Sequence, residues 1–507
     1  MRLWYVFALL GRIAQYFSFF FLVPGLFALY DTTWREAIPY FCGGLISFGL
    51  GKAFSLPIPK GTLAQRPEAM LFVSGSWLML ASFTAVPYLI IGMSFPDALF
   101  ESMSGLTTTG ATIITDFSAY NRSFFLWRAL TQWLGGLGVI ALFVIILPMI
   151  GLSGRQMLFA EGSSAPSEEL SPSASRNATS LWRLYSGLTL ICFLSLHYAG
   201  MGYYDSLVHS FTTLSAGGFS PYSSSILDAH SSNVEWVLIF FMFLAGASFP
   251  LQLKVFSGNW RTGWHDGELR MYTTSIFICA IGLAYLLTVD LGGSITDHFR
   301  MSLFQIVSVL TSTGFASVDY NLWSDQCKVV LVIAMLISGC AGSAGGGPKS
   351  IRLLLSFRHI WRELKQSLYP KAVFALRYKD KVIPDVLLRS IFNLVILYFA
   401  GYLFVGFALA LSGLDMVSAF SASLACLGNI GPGFNELGPM GNFSSLSDFG
   451  KLLLVSAMWV GRLEVVSVIA LFHPLAWRGV HWQKEQEREK KSRFVKIRDR
   501  FADKKKI

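Results

Sequence analysis

Leu106-Thr-Thr-Thr-Gly110-Ala-Thr112 ends a short apolar stretch, and three comparable endings follow later in the chain. They are Thr213-Leu-Ser-Ala-Gly217-Gly-Phe219, Leu310-Thr-Ser-Thr-Gly314-Phe-Ala316 and Leu427-Gly-Asn-Ile-Gly431-Pro-Gly433. The apolar stretches lie at about 96–110, 204–217, 300–314 and 418–431, and each is shorter than the roughly 20 residues that cross a bilayer. Each lies between two longer apolar segments. The sequence therefore repeats one unit four times: a span, a short re-entrant helix, a glycine loop and a span.

The composition is that of a membrane protein. Of 507 residues, 53% are hydrophobic and 14% are charged, whereas a soluble domain has about 25% charged residues. Ten segments are long enough to span, two at about 4–30 and 37–57 and the others beginning near 69, 125, 180, 233, 270, 326, 386 and 449. We predict an all-α polytopic membrane protein in which two extra transmembrane helices precede the four units.

The repeat divides the chain into six parts. They are the two extra helices (1–68), pore unit 1 (69–155), pore unit 2 (156–258), pore unit 3 (259–370), pore unit 4 (371–478) and a basic cytoplasmic tail (479–507). Of the 40 Lys and Arg residues, 33 lie at the N-terminal end, in every second connection between spans, or in the C-terminal tail. Because positive residues stay in the cytoplasm, both termini are predicted to be cytoplasmic. Half of the 30 acids, including Asp97 and Glu101, fall on the opposite side; they would attract cations there or simply complement the positive-inside rule.

Four re-entrant loops at membrane depth indicate a pore. Non-helical backbone is tolerated there only where it lines protein or a water-filled cavity, so the loops should meet around one axis in pseudo-fourfold symmetry. Glycine lets a loop turn its carbonyl oxygens inward, and a ring of such oxygens can replace the hydration shell of an alkali cation. One such glycine alone would be read as a packing or turn residue. The candidate filter residues are Thr108, Thr109, Gly110, Ser215, Ala216, Gly217, Ser312, Thr313, Gly314, Asn429, Ile430 and Gly431.

A second feature interrupts the span that begins near 326. Five glycines and a proline between Ser338 and Pro348 must break the helix, which indicates a transport pathway or only a packing kink. Arg462, in the middle of the last span, should face the interior and bind carbonyls of that loop. It would act as a barrier to a passing cation or as a clamp between helices. The candidate gate residues are Gly339, Gly342, Gly345, Gly346, Gly347 and Arg462.

The chain resembles the Trk/Ktr/HKT superfamily of potassium transporters, and within it the TrkH-type membrane subunits of bacterial Trk systems. The features that carry the resemblance are the loops around Gly110 and Gly431, the two extra helices and the run Gly461-Arg-Leu-Glu464. The resemblance covers nearly the whole chain. It implies that Gly110, Gly217, Gly314 and Gly431 form a potassium filter, although Ala216 and Ile430 depart from the Thr-x-Gly pattern. It further implies that the 338–348 loop is a gate under the filter.

The same resemblance implies a homodimer in the bacterial inner membrane. The predicted partners are a TrkA-like cytoplasmic nucleotide-binding subunit and membrane lipids, and no nucleic acid. Potassium is the transported ion, and no cofactor is expected in this chain.

Two transport mechanisms stay open. In the first, potassium crosses a channel-like pore that the cytoplasmic partner opens. In the second, the chain couples potassium uptake to proton or sodium entry; such carriers use intramembrane carboxylates, and Glu464 is the one placed deep in a span. A voltage-gated channel is disfavoured because no span carries a ladder of arginines. An enzyme is disfavoured because the sequence has no His-Glu-x-x-His or Gly-x-Ser-x-Gly motif.

Overall fold

Helices form most of the described chain. The structure, a computed structural model, describes residues 2–55, 57, 66–141, 172–229, 231–378, 381–463 and 468. The helices are α1 (Leu3–Ser18), α2 (Leu22–Asp31), α3 (Trp34–Phe54), α4 (Arg66–Ile91), α5 (Phe95–Leu106), α6 (Arg122–Ala141), α7 (Pro172–Tyr198), α8 (Tyr203–Leu214), α9 (Ser232–Gly246), α10 (Phe249–Phe256), α11 (Arg261–His265), α12 (Gly267–Leu291), α13 (Ile295–Leu310), α14 (Asp325–Ile337), α15 (Ser350–Leu368), α16 (Asp385–Leu411), α17 (Met416–Leu427) and α18 (Asp448–Arg462). One two-stranded antiparallel hairpin joins β1 (Arg377–Tyr378) to β2 (Lys381–Val382).

The ten predicted spans and the four short helices are all present as helices. Among the described residues, six helical segments are long and apolar enough to cross a membrane, or seven if the bent pair α9 and α10 is counted as one span. The six are 3–31, in which a single 3-10 turn joins α1 to α2, then α3, α4, α7, α12 and α16. The largest difference in position is at α7, which begins at Pro172 instead of near 180. The boundary predicted at 155, Glu464 and the tail 479–507 lie outside the described residues.

Three of the four short helices begin with a side-chain cap. Ser94 and Ser294 precede α5 and α13, and each side chain accepts a backbone N–H from the first turn of its helix. Asp415 does the same for α17, accepting from Ser418 N at 3.0 Å. Gly202 precedes α8 without a side-chain cap. Capping satisfies donors that would otherwise be unpaired where each chain turns back into the protein.

The short helices and the spans that follow them form a closed ring. Around it, neighbouring elements pack in the order α5, α6, α8, α9, α13, α14, α17, α18 and back to α5. Each short helix is therefore held between its own following span and the following span of the previous unit. All four loops that end the short helices consequently meet at the centre of the ring.

One span is broken where the sequence analysis predicts a regular helix. The segment beginning near 233 divides into α9 and α10, which are bent by 104° at residues 247 and 248. Gly246 ends the first half, and Pro250 lies in the first turn of the second half, where proline is tolerated. Gln252 Nε2 donates to the carbonyl of Leu244 at 2.7 Å and thereby replaces one lost helical hydrogen bond.

The two N-terminal spans approach each other through glycine. Gly51 of α3 faces α1, and a methyl group added there would lie 2.8 Å from Gly11 O and 2.9 Å from Gln15 N. Gly49 lies in the same helix with nothing within 4 Å of an added methyl group. Close backbone packing of this kind is the usual way in which membrane helices associate.

We therefore expect Gly51→Ala to lower the thermal stability of the purified protein, since overpacking at a rigid backbone contact costs about 1–3 kcal/mol. Gly49→Ala is the matched control and should be neutral or slightly stabilising, because alanine favours the helix by up to about 1 kcal/mol. Melting curves in detergent measure both variants. Equal melting temperatures for the two would contradict the packing described.

Candidate functional site

The four short helices end in the same backbone conformation. Each loop contains a glycine of positive φ. The backbone N–H of the residue directly before this glycine donates a hydrogen bond to the carbonyl of the residue six positions before it. These bonds are Thr109 N to Ser104 O (2.8 Å), Gly217 N to Thr212 O (2.9 Å), Thr313 N to Ser308 O (2.8 Å) and Ile430 N to Ala425 O (2.7 Å). The residue two before the glycine also has a positive φ, at Thr108, Ala216, Ser312 and Asn429. Such a repeated conformation costs energy at non-glycine residues, which indicates that the surrounding contacts fix it.

This pattern changes the register of the second loop. The glycines with positive φ are Gly110 (86°), Gly218 (75°), Gly314 (81°) and Gly431 (108°). By conformation the equivalent of Gly110 is therefore Gly218, one residue after the Gly217 that the sequence alignment selects. Gly217 corresponds to Thr109, and Ser215 ends the helix as Thr107 does. Two adjacent glycines fit the sequence pattern equally well, so only the backbone conformation distinguishes them.

The four glycines pack against one another's loops in a cycle. A methyl group at Gly110 would collide with the carbonyl oxygen of Gly217, and one at Gly218 would collide with that of Thr313. One at Gly314 would collide with Ile430 O, and one at Gly431 would lie 2.8 Å from Thr109 O. Each glycine thus meets the carbonyl that precedes the next glycine in the ring. No side chain fits at these positions, and the carbonyl oxygens of four loops are brought close together.

The side chains that brace the loops differ from one loop to the next. In the first and third loops, paired hydroxyls connect Thr107 with Thr109 at 2.8 Å and Thr311 with Thr313 at 2.7 Å. In the second loop, Gln132 of α6 donates to Gly217 O at 2.7 Å and accepts from Phe219 N. In the fourth loop, the amide of Asn429 donates to Thr109 Oγ1 and to Met458 O. These contacts hold the loops from behind, which is the condition for a fixed ring of carbonyls.

The glycine-rich segment from Ser338 to Pro348 breaks the helix as predicted, since α14 ends at Ile337 and α15 begins at Ser350. The segment lies against the third and fourth loops. Gly346 N donates to Ser312 Oγ at 2.6 Å, and a methyl group at Gly345 would be 2.5 Å from Thr311 O.

The other side of this segment contacts the broken span α9. Cys340 N donates to Gly246 O at 2.8 Å, and Ala344 N donates to Ala245 O at 3.1 Å. The bend after α9 and the glycine-rich segment therefore satisfy each other's backbone hydrogen-bonding groups. Unpaired backbone groups inside a membrane must find such partners.

Two buried cations contact the segment. Arg462 Nη1 donates to Ala344 O at 2.8 Å, which is the kind of carbonyl partner that the sequence predicts. Its Nε and Nη2 atoms are buried without a hydrogen-bond partner among the described residues. Lys349, which the sequence analysis missed, is also buried, and its Nζ donates to the carbonyl of Gly345. In the sequence, its position directly after Pro348 is the sole indication that this lysine belongs to the glycine-rich segment.

Three acidic side chains around this site have partners that the sequence does not predict. Glu268 Oε1 accepts from Ala341 N at 2.5 Å and so holds the glycine-rich segment from α12. Asp97, which the sequence analysis assigns to the outer side, is paired with Lys451 at 2.6 Å and is largely neutralised. Glu101 is not at the outer mouth, because it is fully buried and paired with Arg128.

Comparison with known proteins identifies relatives over most of the chain. Residues 64–482 match the model of the TrkH family, described as cation transport protein. The Trk system potassium uptake protein TrkH of Escherichia coli (strain K12) is 33% identical over 93% of this chain and 98% of its own length. TrkH of Halomonas elongata is 32% identical over 94% of this chain and 100% of its own length. The crystal structure of the potassium transporter TrkH from Vibrio parahaemolyticus is similar with a TM-score of 0.86, 30% identity, and coverage of 94% of this chain and 100% of that one.

The register of the second loop can be tested with Gly218→Ala and Gly217→Ala. We expect Gly218→Ala to reduce cation flux by about tenfold, because strain at a positive φ costs about 1–3 kcal/mol. Gly217→Ala should reduce flux less, since Gly217 has no positive φ and the atoms nearest to its added methyl group belong to a side chain, that of Gln132, instead of to the backbone. Flux into liposomes measures both. A larger loss for Gly217→Ala would favour the register taken from the sequence.

Proposed function

The chain belongs to the TrkH family of cation transport proteins and is a multi-pass membrane protein, and from that premise we propose that it takes up potassium across the bacterial inner membrane. It would be the ion-conducting, channel-like subunit of a Trk system. The observation that carries the proposal is the cycle in which each loop glycine packs against the carbonyl of the next loop. Uncharged carbonyl oxygens in a ring bind an alkali cation and still release it.

The electrostatics of the short helices support this proposal. All four end at the loops, with their C-terminal ends towards the centre of the ring. The C-terminal end of a helix carries a partial negative charge, which stabilises a cation without binding it irreversibly. The proposed filter comprises residues 108–110, 216–218, 312–314 and 429–431.

We further propose four span, pore helix, span units around the pore in pseudo-fourfold symmetry, with the boundaries given by the sequence and the two extra helices outside the ring. The recurrence of one loop conformation and the closed order of helix packing support this division. Both termini would be cytoplasmic, as the distribution of lysine and arginine indicates.

The glycine-rich segment is the proposed gate. It packs against the third and fourth filter loops and is held by Arg462, Lys349 and Glu268. Two fixed positive charges beside the pathway would oppose a potassium ion until the segment moves. Because the segment continues directly into α15, motion at the cytoplasmic side could reach it through that helix.

The proposed partners follow from the Trk systems that the relatives' names describe. A TrkA-like nucleotide-binding subunit would dock on the basic cytoplasmic side and open the gate, and the chain would form a homodimer. The connection 349–389 carries ten of the 40 Lys and Arg residues. Such basic surfaces next to the membrane also bind anionic lipid.

The proposal predicts that voltage alone drives potassium into liposomes that contain the purified chain, at a basal rate limited by the closed gate, with a lower flux of sodium. A potential of 100 mV supplies about 2.3 kcal/mol per charge, so no second ion gradient is required. Isotope or fluorescence flux assays under imposed voltage measure this. Flux that appears only with a proton or sodium gradient would instead favour the coupled carrier.

The gate predicts that Arg462→Ala raises potassium flux in the absence of the partner. We expect an increase of about tenfold to a hundredfold, since a hydrogen bond to a charged group contributes about 1.5–3 kcal/mol to holding the segment closed. Lys451→Met is the control. It removes another buried cation of the same helix, but that cation pairs with Asp97 and does not contact the glycine-rich segment. An unchanged or lower flux in a normally assembled Arg462→Ala protein would argue for a purely structural clamp.

A further inference from the structure

A polar side chain stands behind the filter at the same position of three units. Glu101, His209 and Gln305 each lie nine residues before the glycine of positive φ, and all three are fully buried. Each contacts its own loop two or three residues beyond that glycine. The contacts are Thr112 Oγ1 to Glu101 Oε2 (3.1 Å), His209 Nε2 to Ser220 Oγ (3.2 Å) and Gln305 Nε2 to Ser317 Oγ (3.3 Å). The fourth unit has Ala422 at this position, and the adjacent Ser421 accepts from Phe434 N at 3.0 Å.

The first unit differs from the others because its side chain is charged. Arg128 Nε donates a hydrogen bond to Glu101 at 2.6 Å in a fully buried ion pair. Glu101 also accepts a hydrogen bond from Ile113 N at 3.2 Å. Two charges in the interior are costly to desolvate, and side chains without an ion pair make the equivalent contacts in the second and third units. A charged pair at this place therefore requires an explanation beyond helix packing.

The geometry of Arg128 supplies that explanation. Its Nη2 donates to Thr112 Oγ1 in the first loop at 3.1 Å, and its Nη1 donates to Ser220 O in the second loop at 3.3 Å. The guanidinium also lies 3.9 Å from the centre of the Phe219 ring, directly after Gly218. One side chain thus connects the parts of two loops that follow their filter glycines.

We propose that Glu101 and Arg128 are a positioning pair that sets the distance between the first and second filter loops and thereby the preference for potassium over sodium. The inference rests on the proposed function. Selectivity of a carbonyl ring depends on its size and on the number and field strength of its ligands. Glu101 fixes the orientation of Arg128, and Arg128 holds the two loops in register. If the pair served only to join α5 to α6, its loss would change stability and leave ion preference as it was.

The test compares Glu101→Gln with Glu68→Gln. Glu68 is a second buried glutamate in an ion pair with an arginine, Arg2 at 2.7 Å, and it lies in α4 away from the filter loops. We expect Glu101→Gln to lower the potassium to sodium flux ratio by about threefold to tenfold, which corresponds to one hydrogen bond of about 0.5–1.5 kcal/mol. Glu68→Gln should keep the ratio of the unaltered protein.

A second variant keeps the test decisive if Glu101→Gln does not assemble, since an unpaired buried arginine is strongly destabilising. Thr112→Val leaves the ion pair and removes the hydroxyl that both partners contact. It should lower the flux ratio in the same direction while the protein stays monodisperse in gel filtration. A ratio equal to that of the unaltered protein in assembled Thr112→Val or Glu101→Gln would overturn the positioning role alone. An unaltered protein that does not prefer potassium would overturn the proposed function itself, and this inference with it.

Discussion

Unpaired backbone groups at membrane depth are the constraint on which the rest of the structure depends. A carbonyl or amide in hydrocarbon without a partner costs several kcal/mol, so helical structure can be interrupted only where other protein groups or water replace the lost bonds. In the described part of the chain, the four loops, the bend between α9 and α10 and the glycine-rich segment are interruptions of this kind, and they contact one another. The loops are fixed by repeated backbone bonds, while the bend and the segment satisfy each other.

The same constraint explains where the buried charges lie. Arg462 and Lys349 donate to carbonyls that the broken helix releases, and Glu268 accepts an amide from the same segment. In a solvent of low dielectric, such groups are retained only with partners, and their partners here are backbone atoms of the interrupted regions. The proposed ion pathway and these charged contacts thus follow from the same need to pair backbone groups.

Most of the helical elements could be predicted from the sequence, because apolar length and lysine and arginine positions report directly on spans. The contact of Arg462 with the glycine-rich segment also followed from the cost of a lone arginine in a span. The bend after Gly246 was missed because one glycine and one nearby proline do not identify a break by themselves. In the second loop the positive φ lies at Gly218, one residue after the Gly217 chosen from the sequence, because two adjacent glycines differ in φ and not in composition. The role of Glu101 depends on distances between units that no local pattern contains.

The four loops belong to one chain, and this has a consequence for how the molecule can change. In an assembly of four identical subunits, every substitution is imposed on all four corners at once. Here Thr109, Gly217, Thr313 and Ile430 occupy corresponding places with four independent codons. A single mutation therefore changes the residue in one loop and leaves the residues of the other three as they were. Natural variation can adjust ion preference in small steps, and each internal copy is free to acquire its own connections to the surrounding protein.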